Sequence, residues 1–381
     1  MTDRAAAEAD AAVAADERYL RRALTLARRG RYRTSPNPMV GCVVVRDGAV
    51  VAEGYHRQVG GPHAEAEALA HAGDAARGAT VFTNLEPCDH QGRTPPCSRA
   101  LLAAGVRRVV VCHRDPNALA AGGLARLAAA GVAVACGTLA RPAVHLNWKF
   151  LVAALLGRPA VTLKWAASLD GKIATQSGHS QWISSPASLR WALDERETHD
   201  AIVAGSGTAL ADDPRLDRRL GRAAGPNLRV VLDRRLRLRP EARMLRVAGP
   251  VLVYAGPTAD PDRVRALEAQ GAEVAVLAEP TPEHVLADLY RRGVRSVLVE
   301  GGGAVAAAFV AADLVDRVAA VLAPMLIGGS RAVGPLAGVG VDTLSAAPRL
   351  DRLRVSRRGD DLLIQGFRSR CLPDLYASVG A

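Results

Sequence analysis

One imidazole, two thiols and a carboxyl group fall within residues 62–97, in the order His63, Glu65, Cys88, Cys97. An imidazole and two thiolates are three protein ligands, the number a catalytic Zn²⁺ keeps when its fourth position holds water. Glu65 stands two residues from the histidine, close enough to handle protons without binding metal. Singly, each residue has an ordinary explanation. A histidine at a helix start is usually a polar cap, a cysteine is usually core, and a glutamate in a first helical turn usually answers the helix dipole. Together these explanations weaken. Cys88 and Cys97 flank a polar, proline-rich loop, Asp89-His90-Gln91-Gly92-Arg93-Thr94-Pro95-Pro96, that has no need of buried thiols. One zinc ion per chain is the expectation. His90 could replace a thiolate, but a fourth protein ligand would leave no room for water. His90 and Arg93 are therefore read as facing substrate or solvent.

The order H-x-E followed by P-C…C is the zinc nucleobase-deaminase arrangement, here with eight residues instead of two between the cysteines. Zinc lowers the pKa of its bound water toward neutrality, and the resulting nucleophile attacks a carbon bearing an exocyclic amine. Glu65 takes the water proton and delivers protons to the ring nitrogen and then to departing ammonia.

The elements that must hold these groups read as alternating helices and strands. A frayed tail covers 1–15. A helix over 16–29 follows, with Leu20, Ala23, Leu24 and Ala27 on one face and Asp16 as its N-cap. Ser35-Pro36-Asn37-Pro38-Met39 is a loop stiffened by two prolines, either a plain turn or a substrate-recognition loop in which the Asn37 amide meets a base edge. Asp47-Gly48 marks a hairpin between strands at 40–45 and 50–53. His63 opens a helix to 72, a buried strand spans 80–85, and Pro95-Pro96-Cys97-Ser98 starts another helix ending at Gly105, with Cys97 near its N-terminus. Further strands fall at 106–112 and 132–136. A helix from 147 ends at Arg158-Pro159, and a second α/β series begins at 160. Its strands lie near 160–166, 201–204, 228–233, 250–255, 273–277, 296–300, 317–323 and 362–367, with helices near 185–198, 261–270, 281–293 and 304–312. The domain reading is a tail 1–15, a zinc-dependent domain 16–146, a linker helix 147–159, a second α/β domain 160–370 and a tail 371–381.

The bulk properties narrow the function classes. A chain of 381 residues implies two domains, and a 49% hydrophobic fraction is ample for two cores. The net charge of +11 would suit nucleic acid, but the excess is mostly scattered arginine and aromatics are only 4%, too few for base-stacking platforms. Nucleic acid is not an expected partner. Six cysteines do not make a disulfide scaffold, residues 1–15 lack the apolar core of a signal peptide, and the apolar runs are too short to span a membrane. The expected setting is the cytoplasm, with no membrane partner and a homo-oligomer left open.

The motifs also resemble a known family. His63-Ala64-Glu65 with Leu85-Glu86-Pro87-Cys88-Asp89-His90-Gln91-Gly92-Arg93-Thr94-Pro95-Pro96-Cys97 is similar to one branch of the cytidine-deaminase-like superfamily, the bifunctional riboflavin-biosynthesis deaminase/reductases, whose long inter-cysteine loop accounts for the unusual spacing. In the second half, Lys164-Trp165-Ala166-Ala167-Ser168-Leu169-Asp170-Gly171-Lys172, Ser180-Gln181-Trp182, Gly205-Ser206-Gly207-Thr208 with Asp212, Val299-Glu300-Gly301-Gly302-Gly303 and Pro324-Met325-Leu326-Ile327-Gly328-Gly329 resemble the same family. The resemblance spans roughly residues 16–368. It implies a three-layer cytidine-deaminase-like α/β domain followed by a dihydrofolate-reductase-like α/β domain. It also implies two reactions on one small phosphorylated pyrimidine: zinc-dependent deamination, then NADPH-dependent reduction of a ribosyl group to ribityl. NADPH rests on the resemblance.

By the same resemblance, Ala166, Trp182, Thr208, Asp212, Gly302, Gly303 and Ala304 contact the cofactor, and Arg234 is a candidate for its 2′-phosphate. Asn37, Ser180, Arg196, Leu216, Arg219 and Glu300 contact substrate. Unaided, the residues say less. Three glycines between a strand and a helix let backbone N–H groups approach a phosphate, but many strand–helix turns look alike, and G-x-G-x-x-G is missing. Trp182 could equally be core by its bulk. Arg196 and Arg219 suit a phosphate through their bidentate guanidinium groups, yet surface arginine is a serious competitor in so arginine-rich a chain.

Overall fold

The Asp47-Gly48 turn closes β1 (Gly41–Arg46) onto β2 (Ala49–Tyr55) in the computed structural model, which describes residues 2–91 and 95–380. Both turn residues have positive φ, 52° and 76°, the geometry that matches the twist of the paired strands. β1 also pairs antiparallel with β3 (Thr80–Thr83), which runs parallel to β4 (Arg108–Val111) and that to β5 (Ala133–Cys136). The five-stranded order is β2-β1-β3-β4-β5.

Side-chain alternation along β1 separates two faces. Val43 and Val45 pack with Tyr19, Leu20, Ala23 and Leu24 of α1 (Thr2–Ala27). Cys42 and Val44 pack with α2 (Ala64–Ala72), α3 (Cys97–Ala103) and α4 (Gly123–Ala129) through Ala64, Ala68, Leu101, Leu124 and Leu127. Helices thus cover both faces, giving three layers. Leu20 and Leu24 are almost fully buried, which stabilises the fold by roughly 1.5–3 kcal/mol each. α2 lies so close to β2 that a Cβ on Gly54 would sit 2.5 Å from the Ala64 carbonyl oxygen.

Several sequence expectations change here. The tail expected over 1–15 is helical from Thr2, as its alanine content favours. Asp16 is therefore inside α1 and not its N-cap; its carboxylate takes two bonds, 2.7 and 2.6 Å, from the Arg108 guanidinium. α4 had no counterpart in the sequence reading. The linker helix begins earlier than 147, as α5 (Ala140–Leu156), and Asn147 is the point where its backbone leaves helical geometry.

The second unit, Gly157–Cys371, is a nine-stranded sheet. Its strands are β6 (Ala160–Ser168), β7 (Ala201–Gly205), β8 (Leu228–Leu232), β9 (Val251–Ala255), β10 (Ala272–Val276), β11 (Ser296–Glu300), β12 (Arg317–Ala323), β13 (Leu350–Arg358) and β14 (Asp361–Arg368). The order is β10-β9-β8-β7-β11-β6-β12-β14-β13, parallel up to β12 and antiparallel beyond it. α6 (Pro186–Glu197) starts at a Ser185 cap whose hydroxyl accepts from the Ser188 amide. α7 (Ser206–Asp212) and α8 (Pro261–Glu268) pack on one face through Ala209 and Leu267. α9 (Pro282–Arg291) and α10 (Gly303–Ala311) pack on the other through Val285, Leu289, Ala306 and Phe309.

The sequence reading missed β13. It is an edge strand, largely exposed and rich in arginine, so it lacks the apolar alternation that marks a half-buried strand. The expected tail over 371–381 is instead α11 (Cys371–Val379), with Leu372, Leu375, Tyr376 and Val379 buried, and residues 372–381 group with the first unit.

Candidate active site

Three element starts and ends deliver the zinc-type donors. His63 is the extended residue before α2 (φ −71°, ψ 160°), and Cys97 is the first residue of α3. Cys88 follows the turn after β3. A helix start favours negative charge, which suits a cysteine that must ligate as thiolate. The three donor atoms lie within 4.8 Å of one another. His63 presents Nδ1, 3.3 Å from Cys97 Sγ and 3.5 Å from Cys88 Sγ. A tetrahedral zinc with one nitrogen and two sulfur ligands has N···S edges of roughly 3.5 Å. The set fits zinc in number, type and spacing. Hydrogen bonding from the Cys97 thiol, aided by His63, outweighs burial and holds Cys88 down at about 4, while the hydrogen bond to Cys88 and burial push Cys97 up.

Glu65 lies in the first turn of α2 and is 3% exposed. Burial pushes its carboxyl upward and the charge of His63 pulls it down. A carboxyl so placed is suited to trading protons.

These groups open into a cavity of about 420 Å³. One wall is the loop carrying Asn37. Asn84 and Asn147 pin its backbone. Asn147 accepts from the Met39 amide at 2.8 Å and donates to the Met39 carbonyl at 2.9 Å. Asn84 donates to the same carbonyl at 3.0 Å and accepts from the Gly41 amide at 2.8 Å. Asn37 itself lines the cavity, with its amide nitrogen 3.3 Å from His56 Nε2. His90 lines the cavity too; Arg93 lies outside the described residues.

The opposite wall escaped the sequence reading. The buried Glu86 carboxylate accepts from the amides of Asp115 (3.0 Å), Leu124 (3.0 Å) and Gly122 (3.3 Å), so it fixes the loop after β4. That loop places Asp115 and Asn117 in the cavity, and burial pushes the Asp115 carboxyl up to about 6. The signal was available: Asp115-Pro116-Asn117 follows the carboxyl end of a parallel strand, where ligands gather in open α/β sheets.

In the second unit the glycine turn after β11 has the geometry its residues require. Gly301 and Gly302 have φ of 110° and 73°. A Cβ on Gly301 would fall 2.8 Å from Thr208 Oγ1, and one on Gly303 would fall 2.7 Å from the Gly334 carbonyl oxygen. The turn thus leaves α10's first amides and exposed Ala304 in reach of a ligand. Asp212, on the same helix as Thr208, accepts from the Ser180 hydroxyl at 2.7 Å. Ser180, Thr208, Asp212 and the glycine turn are therefore brought together.

Glu300, the residue before the turn, takes a bidentate pair from Arg196 at 2.9 and 2.7 Å. Burial pushes Glu300 up, but Arg196 and Lys164 outweigh it and hold it down at about 2. Lys164 is the register partner of Glu300 in β6, and burial lowers its pKa. Ala166 follows two residues along β6, half-buried. Arg219 pairs with Asp217 at 3.0 Å, and its pKa, lowered by burial, also feels Arg196 and Glu300. The forked edge of Arg196 that the sequence reading gave to phosphate is thus engaged by Glu300.

Three expected residues stand differently. Leu216 is buried to 2% in the core, and its carbonyl is taken by the Asn227 amide at 2.9 Å, so its side chain faces away from solvent. Trp182 is 69% exposed, which removes the alternative that its bulk made it core. Arg234 is exposed beside a separate cavity of about 420 Å³, with Asp233, Tyr254, Glu279 and Thr281 around it.

Known proteins agree with both halves. Residues 13–113 match the family model of the cytidine and deoxycytidylate deaminase zinc-binding region, and residues 159–364 match that of the RibD C-terminal domain. The riboflavin biosynthesis protein RibD of Synechocystis is 40% identical over 354 residues, covering 92% of this chain and 96% of that protein. The chain belongs to the RibD family. RibD of Escherichia coli is 41% identical over 374 residues, covering 92% of this chain and 98% of its own. The solved RibD of Acinetobacter baumannii superposes with a TM-score of 0.85 at 36% identity, covering 94% of this chain and 99% of that one. A diaminohydroxyphosphoribosylaminopyrimidine deaminase/5-amino-6-(5-phosphoribosylamino)uracil reductase from Thermotoga maritima gives 0.83 at 34% identity, with coverage of 93% and 99%. As in the RibD family, the first unit is cytidine-deaminase-like and the second is dihydrofolate-reductase-like.

Proposed function

We propose that the chain catalyses two successive steps of riboflavin biosynthesis. The first is hydrolytic deamination of 2,5-diamino-6-(5-phosphoribosylamino)pyrimidin-4(3H)-one. The second is NADPH-dependent reduction of the ribosyl group to ribityl, giving 5-amino-6-(5-phospho-D-ribitylamino)uracil. The observation that carries this reading is the His63–Cys88–Cys97 donor set beside buried Glu65, in a chain that matches RibD proteins over nine-tenths of its length.

His63, Cys88 and Cys97 hold the zinc. Bound there, Zn²⁺ supplies Lewis acidity that makes a water nucleophilic near neutral pH. Glu65 accepts the proton of that water on its carboxylate. It then returns protons to the ring nitrogen and to the leaving amine, so one water is consumed and one ammonia released. Asn37, on a loop pinned at Met39, orients the pyrimidine edge from one wall.

In the second unit the work is positioning. The turn from Gly302 to Ala304, with Ala166, Trp182, Thr208 and Asp212, holds NADPH so that hydride reaches C1′ of the ring-opened sugar. Arg234 meets the cofactor's 2′-phosphate at the neighbouring cavity. Ser180, Arg196, Leu216, Arg219 and Glu300 frame the substrate, Leu216 through its backbone amide. Arg219 supplies charge for the phosphate, and Arg196 both holds Glu300 and presents its remaining N–H groups.

The partners in this reading are small molecules. Among the described residues no helix is long and apolar enough to cross a membrane. Cytoplasmic location is supported by six cysteines, none of which is in a disulfide among the described residues. A homo-oligomer is supported by Leu353 and Val355, each 60% exposed on edge strand β13. The deciding experiment is a coupled assay on zinc-replete protein, following ammonia release and the absorbance of reduced nicotinamide together. Ammonia first, then NADPH oxidation, is expected; neither signal would overturn the assignment.

A further inference from the structure

We propose that Tyr376, on the last helix of the chain, is a positioning residue for the deaminase cavity. The inference rests on the deaminase reading above. The Tyr376 ring lies parallel to the His145 imidazole, with centroids 5.9 Å apart and 7° between planes. Its hydroxyl is hydrogen-bonded to His145 Nε2. The Arg141 guanidinium sits 5.2 Å from the same ring centroid. A hydrogen bond between two nearly coplanar, edge-to-edge rings and a cation–π contact thus tie α11 to the first part of α5.

α5 is not a uniform rod. At Asn147, two residues beyond His145, the backbone leaves helical geometry (φ −104°, ψ 18°). Such a break changes the course of the helix, and the contacts on either side of it hold that course. Asn147 is 2% exposed, and its amide spans both backbone polar groups of Met39, at 2.8 and 2.9 Å. Asn37 stands two residues before Met39 on that loop and lines the cavity, and Phe150, three residues beyond Asn147, lines the cavity directly. The direction of α5 at its break therefore sets one wall of the cavity twice over, through the Asn37 loop and through Phe150. The donors and Glu65 stand on other elements: the turn after β3, α2 and α3. Loosening Tyr376 disturbs where the pyrimidine sits and leaves the hydrolytic centre in place. Its signature is a raised KM with kcat held.

The test uses the full chain with Tyr376→Ala, Tyr376→Phe and His145→Gln. Ammonia release, zinc content and reduction of already deaminated substrate are measured on the same preparations. We expect Tyr376→Ala to raise the deamination KM about 5- to 20-fold with kcat within about 2-fold of the unsubstituted chain. Tyr376→Phe, which loses the hydrogen bond to His145 but keeps the ring against Arg141, should give a smaller rise, within about 3-fold in KM. Zinc content and the reduction should not move. If Tyr376→Ala does not fold, His145→Gln carries the test, with the same rise in KM expected. Unchanged KM in the folded variants overturns the proposal. So does a parallel fall in both reactions or a loss of zinc, because either marks a merely structural helix. If the unsubstituted chain releases no ammonia, the deaminase reading itself fails, a result distinct from a variant that behaves like its parent.

Discussion

The carboxylate of Asp170 accepts the backbone amide of Gly328 at 2.7 Å. It also accepts the Ile327 amide at 3.0 Å and the Ser168 hydroxyl at 2.6 Å. Two stretches distant in sequence, the one that ends β6 and the one that follows β12, are thereby joined at one side chain. The Ser168 hydroxyl first, then the two amides, hold the Asp170 carboxyl down at about 2.

That relationship fixes the sign of an acid response. A carboxylate whose folded pKa is depressed contributes stability that is fully present above its unfolded value, about 3.9, and lost as pH falls toward about 2. Asp170→Asn should lower the melting temperature of the second unit near neutrality, and the gap from the unsubstituted protein should narrow steadily below about pH 4. Calorimetry across that range checks it; a gap that stays constant or widens on acidification contradicts the account.

Glu65→Gln keeps the shape of the side chain but removes its proton traffic. Ammonia release should fall by about 10²–10⁴-fold. Reduction of supplied deaminated substrate should continue at the unsubstituted rate, and zinc content should be retained. Loss of both reactions would mean that the two units do not work separately.

Cys88→Ser removes one of three donors. Metal analysis should find zinc lost from the purified protein, together with ammonia release, while NADPH oxidation with deaminated substrate persists. Zinc retained at one per chain would show that the metal is held elsewhere.

The Arg196–Glu300 pair is buried, with side chains 13% and 9% exposed. Arg196→Ala leaves Glu300 without its main counter-charge, which should cost roughly 3–5 kcal/mol in the second unit's unfolding transition. Adding Glu300→Gln should recover much of that stability without recovering the reduction. Urea titration separates the outcomes: an Arg196→Ala protein as stable as its parent would make the pair a spectator.

Gly303→Ala asks how tight the glycine turn is. The added methyl would meet a backbone oxygen, that of Gly334, at 2.7 Å, and backbone cannot swing aside as a side-chain tip can. NADPH affinity measured by fluorescence titration should weaken about tenfold or more, a loss of about 1.4 kcal/mol, while deamination is untouched. Unchanged affinity would remove the turn from the cofactor site.

The zinc donors were legible because ligand chemistry constrains residue type and spacing together. His63, Cys88 and Cys97 converge as their order implied, and the strands of both sheets mostly fall where apolar runs placed them. Glu86 sits inside the Leu85-Glu86-Pro87-Cys88 motif, yet its work is invisible in one dimension, since the amides it holds belong to residues 115–124. Asn147 was legible only as a helix start, because a side chain mimicking a strand partner leaves no periodic trace. Leu216 and Arg196 carry surroundings that one dimension does not display: the fold turns the Leu216 side chain inward and pairs Arg196 with Glu300. β13 and α11 failed for lack of contrast, one too polar for a strand pattern and one too short to separate from a chain end.

The return of residues 372–381 to the first unit has a consequence for biosynthesis. A ribosome makes the deaminase sequence first, but the helix that covers α5 emerges only after the whole reductase. At roughly 5–20 residues per second, the first unit waits some tens of seconds with that surface bare. Covering of that α5 surface therefore waits on synthesis of the second unit. A nascent or truncated chain ending at residue 156 would carry every zinc donor and still lack its last piece.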